Sequence, residues 1–407
     1  MVNTIKHLSK ILILMVAAFS ILLLLSGMIP REFIKENAIS SAKTLEKEGL
    51  KHRIGGVFFF RLDNFTDALM INIALSIDEK EAIRSVTENN FYLRENLSSI
   101  TQGIEDVGNS DFTHQKRIYA RYWHGYLLFL RPLLTFTDYN GIRIINYVLL
   151  SMMLGGIIWM SIRQRKTYTL TAFILSLIFI NFWMVPLSMQ FSNTFYTAFA
   201  ATLYILFSKI NPYDRRNIST LFLLVGGFTS FTDLFTTPLV TLCIPLLFLI
   251  NNNSRQDNVF KILMVCSLSW LIGYAGIWIM KWILAYILIG YDIDKAIHQV
   301  AVRTSTTYGD FDMSFMGIAR FLFARTKLLI TIAACLAIFL LLNIWMYMKN
   351  KIAFKRDYYL LLIALLPVVW FILIRNHSVI HCWFVWRLAV ISVFAYSLFL
   401  LRITRSS

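Results

Sequence analysis

Runs of about 18 or more apolar residues recur along the whole chain, each long enough to cross a hydrocarbon core of roughly 30 Å. Backbone in lipid must satisfy its polar groups internally, so such runs are helices. Ten are read from the sequence, at about 9–28, 142–162, 168–187, 192–208, 218–232, 237–250, 259–288, 328–348, 358–374 and 387–401. The expected fold is an all-α integral membrane protein of about ten transmembrane helices. With 57% hydrophobic and 15% charged residues, the chain lies outside the range of soluble domains. The fifth and sixth runs are short and meet at Thr232-Asp233, as in a re-entrant hairpin. The first lacks a small-residue cleavage site after its apolar core and reads as an uncleaved anchor.

Basic residues near span ends orient the chain. With the N-terminus inside, the inner segments hold Lys6 and Lys10; Arg163, Arg165 and Lys166; Lys209, Arg215 and Arg216; Arg255 and Lys261; Lys349, Lys351, Lys355 and Arg356; Arg402 and Arg405. These 16 basic residues face three acids, Asp214, Asp257 and Asp357, which accounts for +13 of the net +16. The basic excess is thus a topology signal for a multi-pass cell-membrane protein with both termini cytoplasmic, and not the footprint of a nucleic-acid partner. Cys243, Cys266, Cys335 and Cys382 are scattered, without metal or disulfide spacing.

The remaining polar clusters fall on the outer side. The largest, residues 29–140, is nearly neutral, with 14 Lys+Arg and 15 Asp+Glu. It reads as a subdomain embedded in a single 407-residue membrane domain. Helices are expected at about 33–51, 64–76 and 79–98, folded against the outer ends of the spans. Gly55-Gly56 breaks the first from the second, and the apolar Val57-Phe58-Phe59-Phe60 suits a headgroup region. The aromatic run from Tyr119 to Tyr126, with His124 as a candidate substrate contact, returns the chain to the membrane.

Four outer clusters suit chemistry. Asp63 and Asp67 stand four apart and share one helix face, which suits general-base work or a divalent cation; helix capping competes. Arg375, His377, His381 and Arg387 cluster at the end of the ninth run, where ionisable groups are costly and line cavities. Their guanidinium and imidazole groups suit a phosphate, with an interfacial loop as the ordinary alternative. Asp233 sits among hydroxyl and apolar residues as a candidate substrate contact or a cap. The loop after the seventh run brings His298, Arg303, a Thr/Ser run, Asp310 and Asp312, as a lid or an ordinary surface loop. Lys281, between Trp278 and Trp282, is expected to snorkel to the interface or to meet a lipid phosphate.

No Walker loop, dinucleotide fingerprint or Gly-x-Ser-x-Gly elbow occurs, so energy for synthesis outside would arrive on a lipid carrier. In layout the chain resembles the GT-C superfamily of polytopic glycosyltransferases: one span, a large outer loop with an acid, many further spans and a late outer loop. The resemblance implies a polyprenyl-phosphate-linked sugar as donor. It also implies an Asp of the first outer loop as base, most like Asp63, though followed by Asn64 where the family often has Glu. Asp67 is the competing base, and Arg375, His377, His381 and Arg387 correspond to the donor-phosphate site. A flippase of a lipid-linked saccharide, an envelope polysaccharide polymerase or ligase, and a scaffold are the alternatives. Transporters more often carry repeated halves, and none is visible here.

Overall fold

The computed structural model describes residues 2–56, 60–251, 259–308, 311–312, 314, 341–342, 344–345, 348 and 357–405. The expected span at 328–348 falls largely outside the described residues, as do Val57, Phe58 and Phe59, Arg255, Asp257, Asp310, Cys335 and the basic cluster at 349–356. The described chain is mostly helical. In order, the helices are α1 (Val2–Gly27), α2 (Lys35–Glu48), α3 (Asn64–Ser76), α4 (Ala82–Glu88), α5 (Ile100–Gly108) and α6 (Leu127–Leu134). Then come α7 (Tyr139–Arg163), α8 (Thr167–Phe179), α9 (Met189–Ser208), α10 (Arg215–Thr232), α11 (Leu239–Ile250) and α12 (Val259–Ile289). After these follow α13 (Ile293–Thr304), α14 (Tyr359–Leu373), α15 (Arg375–Ile380), α16 (Cys382–Val385) and α17 (Ala389–Arg405).

Among the described residues four helices are long and apolar enough to cross a membrane, not ten: Lys6–Gly27, Tyr139–Arg163, Val259–Ile289 and Cys382–Ile403. The shortfall has a physical cause. α8, α11 and α14 have 13, 12 and 15 residues, which at 1.5 Å per residue reach only about 18–22 Å. α9 and α10 are longer, but polar residues such as Gln190, Asn193, Arg215 and Arg216 break their hydropathy.

The chain forms two compact units. The first comprises Met1–Met160, Asn181–Asn253 and Lys261–Ile293. There α3 is buried along almost its whole length, packed on α2, α5, α6 and α9. Its C-terminal carbonyls would be orphaned there, and two arginines satisfy them. Arg31 Nε donates to Leu75 O at 2.8 Å. The fully buried Arg131 of α6 donates to Ala74 O, to Ile29 O and, at 2.9 Å, to Ser26 O, which ties α3 to the end of α1. The helix expected over 79–98 ends at Glu88. Asn89 takes the left-handed conformation (φ 50°) that asparagine tolerates at a helix end. Two short strands follow instead, β1 (Phe91–Leu93) paired antiparallel with β2 (Gln115–Arg117).

α10 and α12 approach closely through glycine. A Cβ on Gly226 would collide with the Trp270 carbonyl, and one on Gly273 with the Leu223 carbonyl. Small residues at helix contacts are how helices pack in lipid, where no hydrophobic force joins them. α12 also carries the aromatic return segment: Trp278 and Trp282 donate their indole N–H to Arg121 O at 2.9 and 3.0 Å, and Trp123 donates to Ile277 O at 2.7 Å.

The second unit comprises Ser161–Ile180, Ser254–Phe260 and Asp294–Ser407. α17 packs on both α8 and α14. Arg402 of α17 donates to Asp357 Oδ1 at 2.8 Å, pairing a fully buried acid. Part of the segment expected as an outer loop is helical, as α13, with the small β3 (Thr307–Tyr308) and β4 (Phe311–Asp312) after it.

Candidate functional site

The acid pair of α3 is where the sequence put it, and both carboxylates are buried. Asp63 is the N-cap: its Oδ1 accepts from Thr66 N at 3.3 Å and its Oδ2 from Thr66 Oγ1 at 2.8 Å. Asp67, one turn on, is fully enclosed and reaches out of its own helix. Tyr139 Oη donates to its Oδ2 at 2.5 Å, Met189 N to the same oxygen at 3.1 Å, and Gln190 N to Oδ1 at 2.9 Å. An acid from one element thus caps the first turn of another, α9, where N–H groups have no helical partner and the dipole favours a negative charge. Burial raises the Asp67 carboxyl to about 6; the Tyr139 and Gln190 hydrogen bonds oppose the rise and the charge of Asp63 adds to it.

Behind the pair lies an ionic network. Arg143 grips Glu48 through both guanidinium nitrogens, at 2.5 and 2.8 Å, while its Nε donates to Leu187 O at 2.8 Å. Asn64 donates to Glu48 Oε2 at 2.9 Å. Burial raises the Glu48 carboxyl, but Arg143, through hydrogen bond and charge, with Asn64 and His52, brings it below the usual carboxylate range. α2, α3, α7 and the start of α9 are therefore joined by one set of charged and polar contacts.

Asp233 occupies the turn between α10 and α11, buried, with both oxygens accepting from Thr236 N at 3.0 Å. That turn docks on α9: Gln190 Nε2 donates to Thr236 Oγ1, and Thr194 and Thr237 share a hydroxyl contact at 2.9 Å. Gln190 thus donates its backbone N–H to Asp67 and its side-chain amide to Thr236, the residue whose N–H Asp233 accepts. His124 is enclosed in the aromatic segment. Its Nε2 lies 2.9 Å from Tyr119 O, which can only accept, so Nε2 carries the proton and Nδ1 accepts from Tyr126 Oη at 2.9 Å. Burial lowers this imidazole to about 3, the Tyr119 bond opposing and the Lys281 and Arg121 charges adding, so it is neutral. Lys281 does not snorkel. It is 3% exposed and donates to Thr87 O at 3.0 Å, because the end of α4 offers an unfilled carbonyl within reach.

In the second unit, residues from two sequence clusters come together. Arg303 Nη1 donates to His377 Nδ1 at 3.3 Å. The His377 ring lies 4.6 Å from that of His381, which stacks on Phe384 at 5.2 Å and meets Trp383 edge-on at the same distance. Arg387, 1% exposed, donates to Trp383 O at 3.2 Å. Asn376 fixes α15 to the segment after α13 through Ser305 Oγ at 3.0 Å and Thr307 O at 3.1 Å. Arg375 opens α15, half-buried, and its Nε has no hydrogen-bond partner among the described residues. His298 is exposed on α13.

Two features escaped the sequence reading. The Tyr139–Arg143–Glu48 network is one; its signal was Arg143, an ionisable residue just inside an apolar run. An apolar groove of about 1120 Å³ in the first unit, between α1, α6, α7, α9 and α10, is the other. No sequence pattern marks it, because it is a gap between helices and not a property of any one of them. Asp106, Asp111 and His114 also gather, their ligand atoms within 4.8 Å of one another. Arg94 already holds Asp106 at 2.6 and 2.9 Å, so the group reads as a surface ion-pair network. Compared with family models, curated proteins and solved structures, the chain matches none.

Proposed function

We propose that the protein is a multi-pass membrane glycosyltransferase of GT-C layout. It moves a sugar from a polyprenyl-phosphate carrier to an acceptor hydroxyl on the extracytoplasmic face of the cell membrane, with both termini cytoplasmic. The observation that carries this reading is the Arg303–His377–His381–Arg387 assembly. Two segments more than seventy residues apart contribute guanidinium and imidazole groups to one patch, in which His377 and Arg387 are buried and Arg303 and His381 half-buried, a donor set matched to phosphate oxygens. In the reaction the acceptor oxygen bonds to the anomeric carbon as its proton passes to a carboxylate, and the bond from that carbon to the phosphate oxygen breaks. Charge developing on the departing polyprenyl phosphate is met by the arginines.

Asp63 is the base in this proposal. Asp67 is the poorer choice because its oxygens hold three donors that position α9. The test is to incubate purified protein with polyprenyl-phosphate sugars and measure release of polyprenyl phosphate. Wild type is expected to release it, and Asp63→Asn to fall by at least about 100-fold, as loss of a general base implies. Unchanged activity in a stable Asp63→Asn protein removes Asp63; no release from any donor removes the glycosyltransferase reading.

A further inference from the structure

We infer that the groove of the first unit binds a lipid whose head is uncharged and hydroxyl-bearing, of the diacylglycerol class. Its size, about 1120 Å³, exceeds the roughly 300–1,000 Å³ of sites for drug-sized ligands. Its walls include two helices long and apolar enough to span a membrane, α1 and α7. α9 supplies one continuous face, Met189, Ser192, Asn193, Tyr196, Ala200 and Tyr204 among its residues, at the three- and four-residue spacing of a helix stripe. From Met189 to Tyr204 this face runs about 22 Å at 1.5 Å per residue, a length for extended hydrocarbon.

The lining is graded. Ile11, Leu14, Met15, Leu221 and Leu224 line one end with Thr220 and Tyr204, whereas the early part of α9 meets the amides of Asn146 and Asn193 together with Tyr196 and Thr232. Among the described residues no Lys, Arg, His, Asp or Glu lines the groove, so none of them compensates a phosphate taken out of water, a strong penalty in a low-dielectric site. Amides and hydroxyls without charge match a neutral polar head. Asn146 already accepts from Tyr196 Oη at 2.8 Å. Asn193 Nδ2 donates to Thr232 O at 3.3 Å, the only hydrogen bond of that side chain among the described residues. Its carbonyl oxygen therefore has acceptor capacity for a lipid hydroxyl. The polar end is also the end nearest the acid network: Met189, in the lining, donates its N–H to Asp67, and Met70 lies on α3 one turn from that acid. The neutral lipid is then the sugar acceptor, a role that rests on the transferase reading; its binding does not.

The experiment uses full-length protein in detergent with diacylglycerol carrying a photoreactive group on one acyl chain, and a phosphatidic acid with the same chains. Cross-linked residues are located by peptide mass spectrometry. The expected result is diacylglycerol labelling on α1, α7, α9 and α10 at several times the phosphatidic acid yield. Ala200→Trp, which fills the groove from an exposed position, should remove most of it, and Asn193→Leu should reduce the preference for diacylglycerol. Equal labelling by the two lipids, preference for phosphatidic acid, or labelling that survives Ala200→Trp in a protein with unchanged melting temperature overturns the inference. Groove labelling without sugar transfer leaves the site standing and sinks the transferase reading; sugar transfer without groove labelling does the reverse.

Discussion

At the residue scale, the acid pair shows how one motif serves two capping jobs. Asp63 closes its own helix, as Ser, Thr, Asn and Asp do at N-caps, and that part was legible because the cap and its helix are local in sequence. Asp67 caps a helix more than 120 residues away, which no local pattern encodes. Its removal has a calculable sign. Between the ordinary carboxyl value near 3.9 and about 6, folded protein holds a proton that the unfolded chain has released. Stability therefore falls as pH rises through this window, by about 3 kcal/mol at most from this group, at about 1.4 kcal/mol per unit. Glu48, held below its ordinary value, contributes the opposite slope at lower pH. Asp67→Asn abolishes the Asp67 slope and leaves Met189 N–H facing an amide, at a cost of about 1–3 kcal/mol. Thermal melts in detergent between pH 4 and pH 7 check both effects: the wild-type advantage over the variant should shrink toward pH 6, and a constant gap would show that Asp67 does not titrate there.

At the element scale, the expectations that held were those set by one helix alone. The stretch at 64–76 is a helix with the bounds its Asp63 cap and apolar run dictate, and the long run near 259–288 is α12. Those that failed depended on partners. The helix expected over 79–98 gave way at Asn89 because β1 finds β2 across the intervening residues 94–114. Lys281 was legible as amphipathic, but its choice between solvent and the Thr87 carbonyl was a tertiary matter. Arg131 has the same character: three carbonyls from the ends of α1 and α3 converge on it, and none lies near it in sequence. Arg131→Met keeps the volume and takes the guanidinium from Ala74 O and Ile29 O, whereas Ser26 O keeps the Ile29 N–H at 3.2 Å. A loss of at least about 2 kcal/mol is expected, since each unsatisfied buried group costs about 1–3 kcal/mol. A melting temperature within a degree or two of wild type would mean water replaces the guanidinium and α6 is not what fastens α3 to α1.

At the scale of the whole molecule, the late cluster was legible in both of its halves, Arg303 and the 375–387 group, because ionisable residues at membrane depth are conspicuous. That the halves join is a property of the fold. The number of crossings is a different matter. Composition marked ten runs, but helix length distinguishes those that reach across a bilayer from those that do not, and length is not readable from composition. Proline lies inside both α11 and α14, and α11 is buried along nearly its whole length, a helix apolar because it is enclosed by protein. The charge asymmetry gives the test. Single cysteines on a background with the four native cysteines replaced by serine, probed in intact cells with a membrane-impermeant thiol reagent, report which side each segment occupies. Ser98→Cys, in the exposed 3-10 turn before α5, should be labelled from outside. Asn217→Cys, at the start of α10 beside Arg215 and Arg216, should be labelled only after permeabilisation. Labelling of both from outside would mean that the basic residues do not orient this chain, and the extracytoplasmic assignment of the acid pair would fall with them.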